Sequence, residues 1–321
     1  MENSFVHLHA HTEYSMLDGA AKIEPFLNRI LELEQPGAAI TDHGNLYGAL
    51  EFYNSAIKKK LKPIIGYEAY VISDSRFERP DRKNNKRYHL TLLAENTVGY
   101  WNLVEMASKA FTEGYYYKPR IDYELLKKYS EGIIALSGCL GGEIAQLLAP
   151  DGSVEEGNQG QTRSFDDALK KAEFYQSIFG EKNFFIELHK HGIKQQEDIL
   201  PDLLKISEKL SAPLVAANDS HYVHSDDASA HDALLCVQTN ATLDDENRFK
   251  FDGSGFYIKS SEEMRDLFPN EKFPDACDNT IKILDRVEYE FEKDTYYLPD
   301  FPIDDSSKNV DEYLKEKVYQ G

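Results

Sequence analysis

Cysteine is scarce in this chain. Its 321 residues hold only Cys139, Cys236 and Cys277, too few and too scattered for a disulfide framework, so each is either core or ligand. No apolar run approaches the roughly 18 residues needed to cross a bilayer, and the start MENSFVHLHAH has no signal-peptide character. A cytoplasmic protein without membrane contact is therefore expected. Positive charge is also in short supply: 36 Lys and Arg against 56 Asp and Glu leave a formal net charge of -20. That balance excludes nonspecific nucleic-acid binding through the overall field. Any such contact must be local, or must borrow charge from bound metals or another polypeptide. Internal repeats and low-complexity tracts are missing too. The stretch 151–163, DGSVEEGNQGQTR, is Gly-rich and poor in apolar residues, which predicts a mobile surface insertion.

With 41% hydrophobic and 12% aromatic residues, the composition is that of a globular protein. The length allows one large α/β domain with an appendage, or two domains. Short β-rich runs at 5–11, 37–41, 63–72, 88–93, 132–136, 184–188 and 214–217 alternate with amphipathic runs near 23–33, 46–60, 98–112, 143–148, 165–178, 199–210 and 227–235. Such alternation predicts βα units, a parallel sheet and, with seven strands, a closed barrel.

The most distinctive stretch is HLHAHTEYSMLD, residues 7–18. In an extended strand His7, His9 and His11 share a face, and three imidazoles make poor core material but good metal ligands. Other metal-capable residues fall at or beside the remaining strands, where a parallel βα barrel gathers its functional groups. His43 follows the second run in TDHG, Glu68 lies late in the third, His89 opens the fourth, Cys139 follows the fifth in SGCLGG, and Asp219 and His221 follow the last in NDSHYV. A solvated surface does not predict that distribution.

HLHAHTEYSMLDG, TDHG, GYEAY, YHLTLLAEN, SGCLGGE and NDSHYV occur in the order of the motifs of the polymerase and histidinol phosphatase (PHP) domain. The chain resembles most closely the N-terminal PHP domain of bacterial replicative DNA polymerase III alpha subunits. The segment ALLCVQTNATLDDENRFKFDGSGFYIKSSEEM extends the likeness past the barrel. The resemblance implies a distorted seven-stranded (βα)7 barrel over 1–277, with 278–321 as a connector toward a polymerase palm that the chain does not carry. PDFPIDDSS, residues 299–307, reads as a linker. The family's ligand positions fall on His9, His11, Asp18, His43, Glu68, His89, Cys139, Asp219 and His221. The implied partition is one ion on His9, His11, Glu68 and Asp219, a second on Glu68, His89 and Cys139, and a third on Asp18, His43 and His221. His7 stays outside that set, as second-sphere or core residue, and Asp42 is a candidate orienter of a neighbouring ligand.

Three divalent ions are thus implied, zinc first, with manganese or iron as alternatives at the oxygen-richer site. His43, Glu68 and Asp219 are the expected catalytic positions. The implied reaction is 3′ to 5′ hydrolysis of a DNA primer end, that is, proofreading. Alternatives are a phosphomonoesterase, or a metal-stabilised docking module for a separate proofreading subunit. Besides DNA, the implied partners are the remainder of a polymerase chain, that proofreading subunit and a sliding clamp. Two basic stretches are candidates for the substrate path: 76–87, RFERPDRKNNKR, and YYYKPRID, in which Lys118 and Arg120 stand beside Tyr115, Tyr116 and Tyr117 and are the expected substrate contacts, Arg120 to a phosphate.

Overall fold

The computed structural model describes residues 3–81, 84–150, 162–251, 253, 255–291, 295, 296, 298, 302, 303 and 309–321. Most of the expected insertion, 151–161, and most of the expected linker, 299–307, lie outside the described residues. Among the described residues seven strands form one sheet: β1 Gly37–Ile40, β2 Lys62–Ile72, β3 Tyr88–Ala94, β4 Arg120–Asp122, β5 Ile133–Leu136, β6 Phe184–Leu188 and β7 Leu214–Ala216. Their order is β1-β2-β3-β5-β6-β7, with β4 paired to the far end of β2. Residues 5–11 lie between the two ends of that series. They bridge β1 at His7–Ala38 and the turn after β7 at Ala10–Ser220, both in parallel sense. The curled sheet is the distorted seven-stranded barrel expected of the sequence.

The expected parallel sheet needs a correction. β3 runs antiparallel to both β2 and β5. A parallel return requires a crossover of a dozen or more residues, usually helical. The described residues of 73–87, between β2 and β3, contain no α-helix, so the chain turns back on itself there. The N-terminal run differs as well: held only by isolated bridges, it has no continuous pleat. His9 and His11 accordingly reach the barrel's centre, whereas His7 donates from Nε2 to the Lys259 carbonyl at 2.9 Å.

Alternation along the strands sorts the side chains into two cores. Tyr67, Ala69 and Val71 of β2 and Leu90, Leu92 and Ala94 of β3 belong to an outer core, where the flanking helices pack. Ala39, Ile64, Leu93, Ile134, Leu136, Phe185 and Val215 form an inner core with Ile283 and Leu284 of the helix Asp278–Arg286. That helix is pinned by Asn279 Nδ2 donating to Leu214 O at 2.7 Å and by Val6 N donating to Thr280 Oγ1 at 3.1 Å. Strands buried on both faces read as continuous apolar runs, as β1 (GAAI) and β5 (IIAL) do. The compact unit runs to Tyr289. A second unit, 290–321, contains the helix Val310–Gln320. No helix among the described residues is long and apolar enough to cross a membrane.

β4 and the helices Tyr123–Lys128, Ser261–Leu267 and Asp278–Arg286 add to the expected elements. β4 also overturns the expectation that Arg120 contacts substrate phosphate. Arg120 is 1% exposed. Its guanidinium donates to Gly114 O, Arg76 O, Glu78 O and Asn85 Oδ1 at 2.8–3.1 Å and lies over the Tyr116 ring. Arg76 is similarly enclosed by Asp122, Glu113 and Glu124. The basic stretch 76–87, of which 82 and 83 lie outside the described residues, is in this part a scaffold of its own loop.

Replacing Arg120 by Ala strands those carbonyls and leaves a void. The expected loss is about 3 kcal/mol of stability, read from urea denaturation of the whole chain. Unchanged stability would return this side chain to the list of free cations.

Candidate metal centre

The inner face of each strand changes character along its length. In β1 and its continuation the alternating positions are Ala39, Thr41 and His43; in β2 they are Ile64, Gly66 and Glu68; in β7 and its continuation they are Val215, Ala217 and Asp219. Apolar residues at one end of the barrel give way to ligand types at the other. β3 reads in reverse, His89, Thr91, Leu93, because it is antiparallel. This explains why His89 opens its strand while His43, Glu68 and Asp219 lie at or beyond the ends of theirs.

All nine residues expected to bind metal meet at that end. Glu68, 1% exposed, is at the middle. Its Oε1 lies 3.5 Å from His9 Nε2, 3.2 Å from His89 Nδ1 and 3.6 Å from Cys139 Sγ. Its Oε2 lies 3.4 Å from His11 Nε2 and 2.7 Å from His43 Nδ1. Asp219 Oδ1 approaches His9 Nε2 at 3.4 Å and His11 Nε2 at 3.1 Å. On the other flank, Asp18 Oδ2 stands 3.1 Å from both His43 Nε2 and His221 Nε2.

The far sides of these rings are held by other groups. Glu187 Oε1 takes the His9 Nδ1 proton at 2.7 Å and that of His189 Nε2 at 2.9 Å, and its Oε2 accepts from Gly138 N at 2.9 Å. Ser15 Oγ donates to Asp42 Oδ1 at 3.0 Å and so accepts from His11 Nδ1 at 2.8 Å. Asp42 also takes Thr12 N at 2.6 Å and Thr12 Oγ1 at 2.8 Å, which places it behind the ligand residues as an orienter. His221 Nδ1 donates to the Asp219 carbonyl at 2.8 Å. With these protons assigned, His9, His11 and His221 turn Nε2 toward carboxylates.

Two acceptors facing each other across 3 to 4 Å need a cation between them, either protons on the rings or metal ions. His9 Nε2, His11 Nε2 and Asp219 Oδ1 are buried without a hydrogen-bond partner, as expected of atoms reserved for an ion. Mixed imidazole, carboxylate and thiol donors with oriented rings fit divalent metal. Without metal, protons carry the compensation. Burial opposes charge on His43, but Glu68 and Asp18 outweigh it and lift its pKa to about 9. His11 is pushed down to about 3 by burial and by the neighbouring charges of His221 and His43. Burial lifts the Cys139 thiol to about 11, with Glu68 adding to the effect.

Sequence reasoning missed Glu187 and His189. The signal was present in FFIELHKHG: a glutamate inside an otherwise apolar buried strand, two residues before a histidine, shares the inner face with Phe185. His231 was missed as well; its Nε2 donates to the Asp18 carbonyl at 2.8 Å. Lys118 lies over the Tyr70 ring at 5.2 Å, and that ring stacks on His43 at 5.6 Å.

Comparison with known proteins bears on this site. The chain is 42% identical over 319 residues to the DNA polymerase III subunit alpha of Borreliella burgdorferi, covering 99% of this chain and 26% of that protein. It is 46% identical over 304 residues to that of Saccharopolyspora erythraea, with 88% and 24% covered. It therefore spans about a quarter of the length of the curated relatives it matches. Similar solved structures include a putative metal-dependent phosphoesterase from Bifidobacterium adolescentis, with TM-score 0.34, 11% identity and 82% of this chain and 94% of that one covered. Another is an amidohydrolase from Chromobacterium violaceum, with TM-score 0.39, 14% identity and 68% and 88% covered. The PHP domain family matches residues 7–191, more than half of the chain and most of the histidine cluster, and the protein belongs to that family.

Proposed function

We propose that the chain is a metal-dependent phosphodiesterase that removes nucleotides from the 3′ end of a DNA strand, as the proofreading 3′ to 5′ exonuclease of a replicative polymerase alpha subunit. The observation that supports it most is the convergence of nine ligand-type side chains with no position lost. In this reading one ion is held by His9, His11, Glu68 and Asp219, a second by Glu68, His89 and Cys139, and a third by Asp18, His43 and His221. Zinc suits the imidazole, carboxylate and thiolate donors, while manganese or iron suits the oxygen-richer group. Bound ions would polarise the phosphate and acidify water at the centre.

The chain's own residues prepare that chemistry. Glu187 and Ser15 fix the tautomers of His9 and His11, so no reorientation is needed when an ion or substrate arrives. Glu68 turns Oε1 toward His9 of the first group and His89 and Cys139 of the second, and Oε2 toward His11 of the first and His43 of the third. Lys118 lies over Tyr70, whose ring stacks on His43, and in this reading it meets a phosphate of the strand. The likeness to polymerase alpha subunits supports DNA as substrate, with the rest of such a chain, a sliding clamp and a separate proofreading subunit as partners.

Hydrolysis of a labelled primer with a mismatched 3′ end, in zinc or manganese, tests the reading. His43→Ala and Asp219→Ala should each lower nucleotide release by about 100-fold or more. Metal-loaded chain that releases no nucleotide, alone or within a longer polymerase, makes the barrel a docking module instead. Metal affinity at the group of Asp18, His43 and His221 should rise with pH up to about 9, because the ion must displace the proton that Glu68 and Asp18 hold on His43. Calorimetry of zinc binding in buffers of different ionisation enthalpy reads that proton release directly. Glu187→Gln should weaken zinc binding by roughly 10- to 100-fold with the fold intact, measured by competition with a chelating dye.

A further inference from the structure

Behind His221 lies a cavity of about 270 Å³, between the helix Ala228–Thr239 and the chain near Phe251 and Phe256. Its lining combines the rings of Tyr222, His231, Phe251 and Phe256 with the polar groups of Asp232 and Lys250. The rings form a connected group: Phe251 is 4.7 Å from His221, 4.9 Å from His231 and 4.7 Å from Phe256, centroid to centroid. The cavity adjoins the metal centre, with Phe251 and His231 of its lining in ring contact with His221. His231 lines it and donates to the carbonyl of Asp18 at 2.8 Å, and the carboxylate of Asp18 stands 3.1 Å from His221 Nε2.

Size and charge narrow the occupant. The volume lies just under the roughly 300–1,000 Å³ of sites for drug-sized ligands, which suits a single nucleoside and excludes a duplex end. By contrast, the cavity beside Cys139 and His189, about 10 Å³, takes no more than a water. Asp232 is already neutralised, both of its oxygens bonded by Arg248 at 2.5 and 2.6 Å, so Lys250 brings a cation to a wall whose carboxylate is paired. Aromatic walls stack any base, and a site acting on strand ends must accept all of them.

We infer that this cavity seats the base and sugar of the terminal nucleotide while its phosphodiester reaches the metal centre. The inference rests on the reading of the substrate as a DNA strand end. It gives Tyr222, His231, Phe251 and Phe256, after the barrel's last strand, a substrate-binding role that no ligand position of the centre explains. Binding remote from the reacting bond also fixes which phosphodiester is presented.

The test is equilibrium binding to the zinc-loaded chain, by calorimetry, of thymidine 5′-monophosphate and of deoxyribose 5-phosphate, which lacks the base. The native chain should bind the nucleotide about tenfold tighter or more, the range that base stacking supplies. Phe251→Ala should reduce that preference to within about twofold and leave the affinity for deoxyribose 5-phosphate in place. Ser229→Trp, at a surface position of the same lining, should block the nucleotide without removing core packing, which covers the case of a misfolded Phe251 variant. Equal affinities for the two probes, or a preference that survives both substitutions, overturns the pocket. A chain that prefers the nucleotide through Phe251 but releases nothing from primers upholds the pocket and overturns the exonuclease reading alone.

Discussion

Glu68 carries a negative charge at a point where water does not reach, and the rest of the inner barrel is arranged to make that tolerable. An isolated buried carboxylate is costly enough that it normally takes up a proton. Burial pushes Glu68 that way, yet His89, His43 and His9 together hold its pKa well below the usual carboxylate range. The same histidines would lose their purpose without it. Each of its two oxygens is shared, so displacing the side chain disturbs both flanks of the cluster at once.

From this constraint the architecture follows outward. Imidazoles that must face a carboxylate on one side need a fixed partner on the other, which accounts for Glu187, Ser15, Asp42 and the Asp219 carbonyl. Those partners must in turn be immobile. Glu187 lies within β6 and Asp42 directly after the extension of β1, both framed by backbone hydrogen bonds such as Glu68 N to Asp42 O at 3.1 Å. Rigid strands therefore hold the orienting groups, while several ligands occupy the turns just beyond them. The apolar inner core closes the opposite end with Ile283 and Leu284.

Much of this was legible in the sequence, for a definable reason. Ligand residues sit in short local motifs, HLHAH, TDHG and NDSHY, whose chemistry is out of place in a core, and the strands carrying them are plain apolar runs. The direction of β3 was harder to read because side-chain alternation is the same in either direction; the described part of the connection at 73–87, which holds no α-helix, marks the reversal. Arg120 misled because a sequence shows that a residue is cationic but not that four oxygens from positions 76, 78, 85 and 114 surround it. Glu187 stood out as a charge in an apolar strand but its partner His9 is 178 positions away, and His231 is likewise remote in sequence from Asp18. In each case the missing information was a partner remote along the chain.

The same remoteness governs how the barrel is made. Residues 5–11 close the ring, but their bridging partner Ser220 and the anchoring Thr280, 274 positions beyond Val6, are synthesised long after them. At translation rates of roughly 5–20 residues per second, the first histidines wait on the order of tens of seconds for the elements that enclose them. During that interval an apolar, histidine-rich strand has no neighbour on one side, and cannot gain one from local folding. High contact order of this kind slows folding and lengthens exposure to aggregation. Residues 5–11 therefore lack their enclosing partners until the helix Asp278–Arg286 has been synthesised.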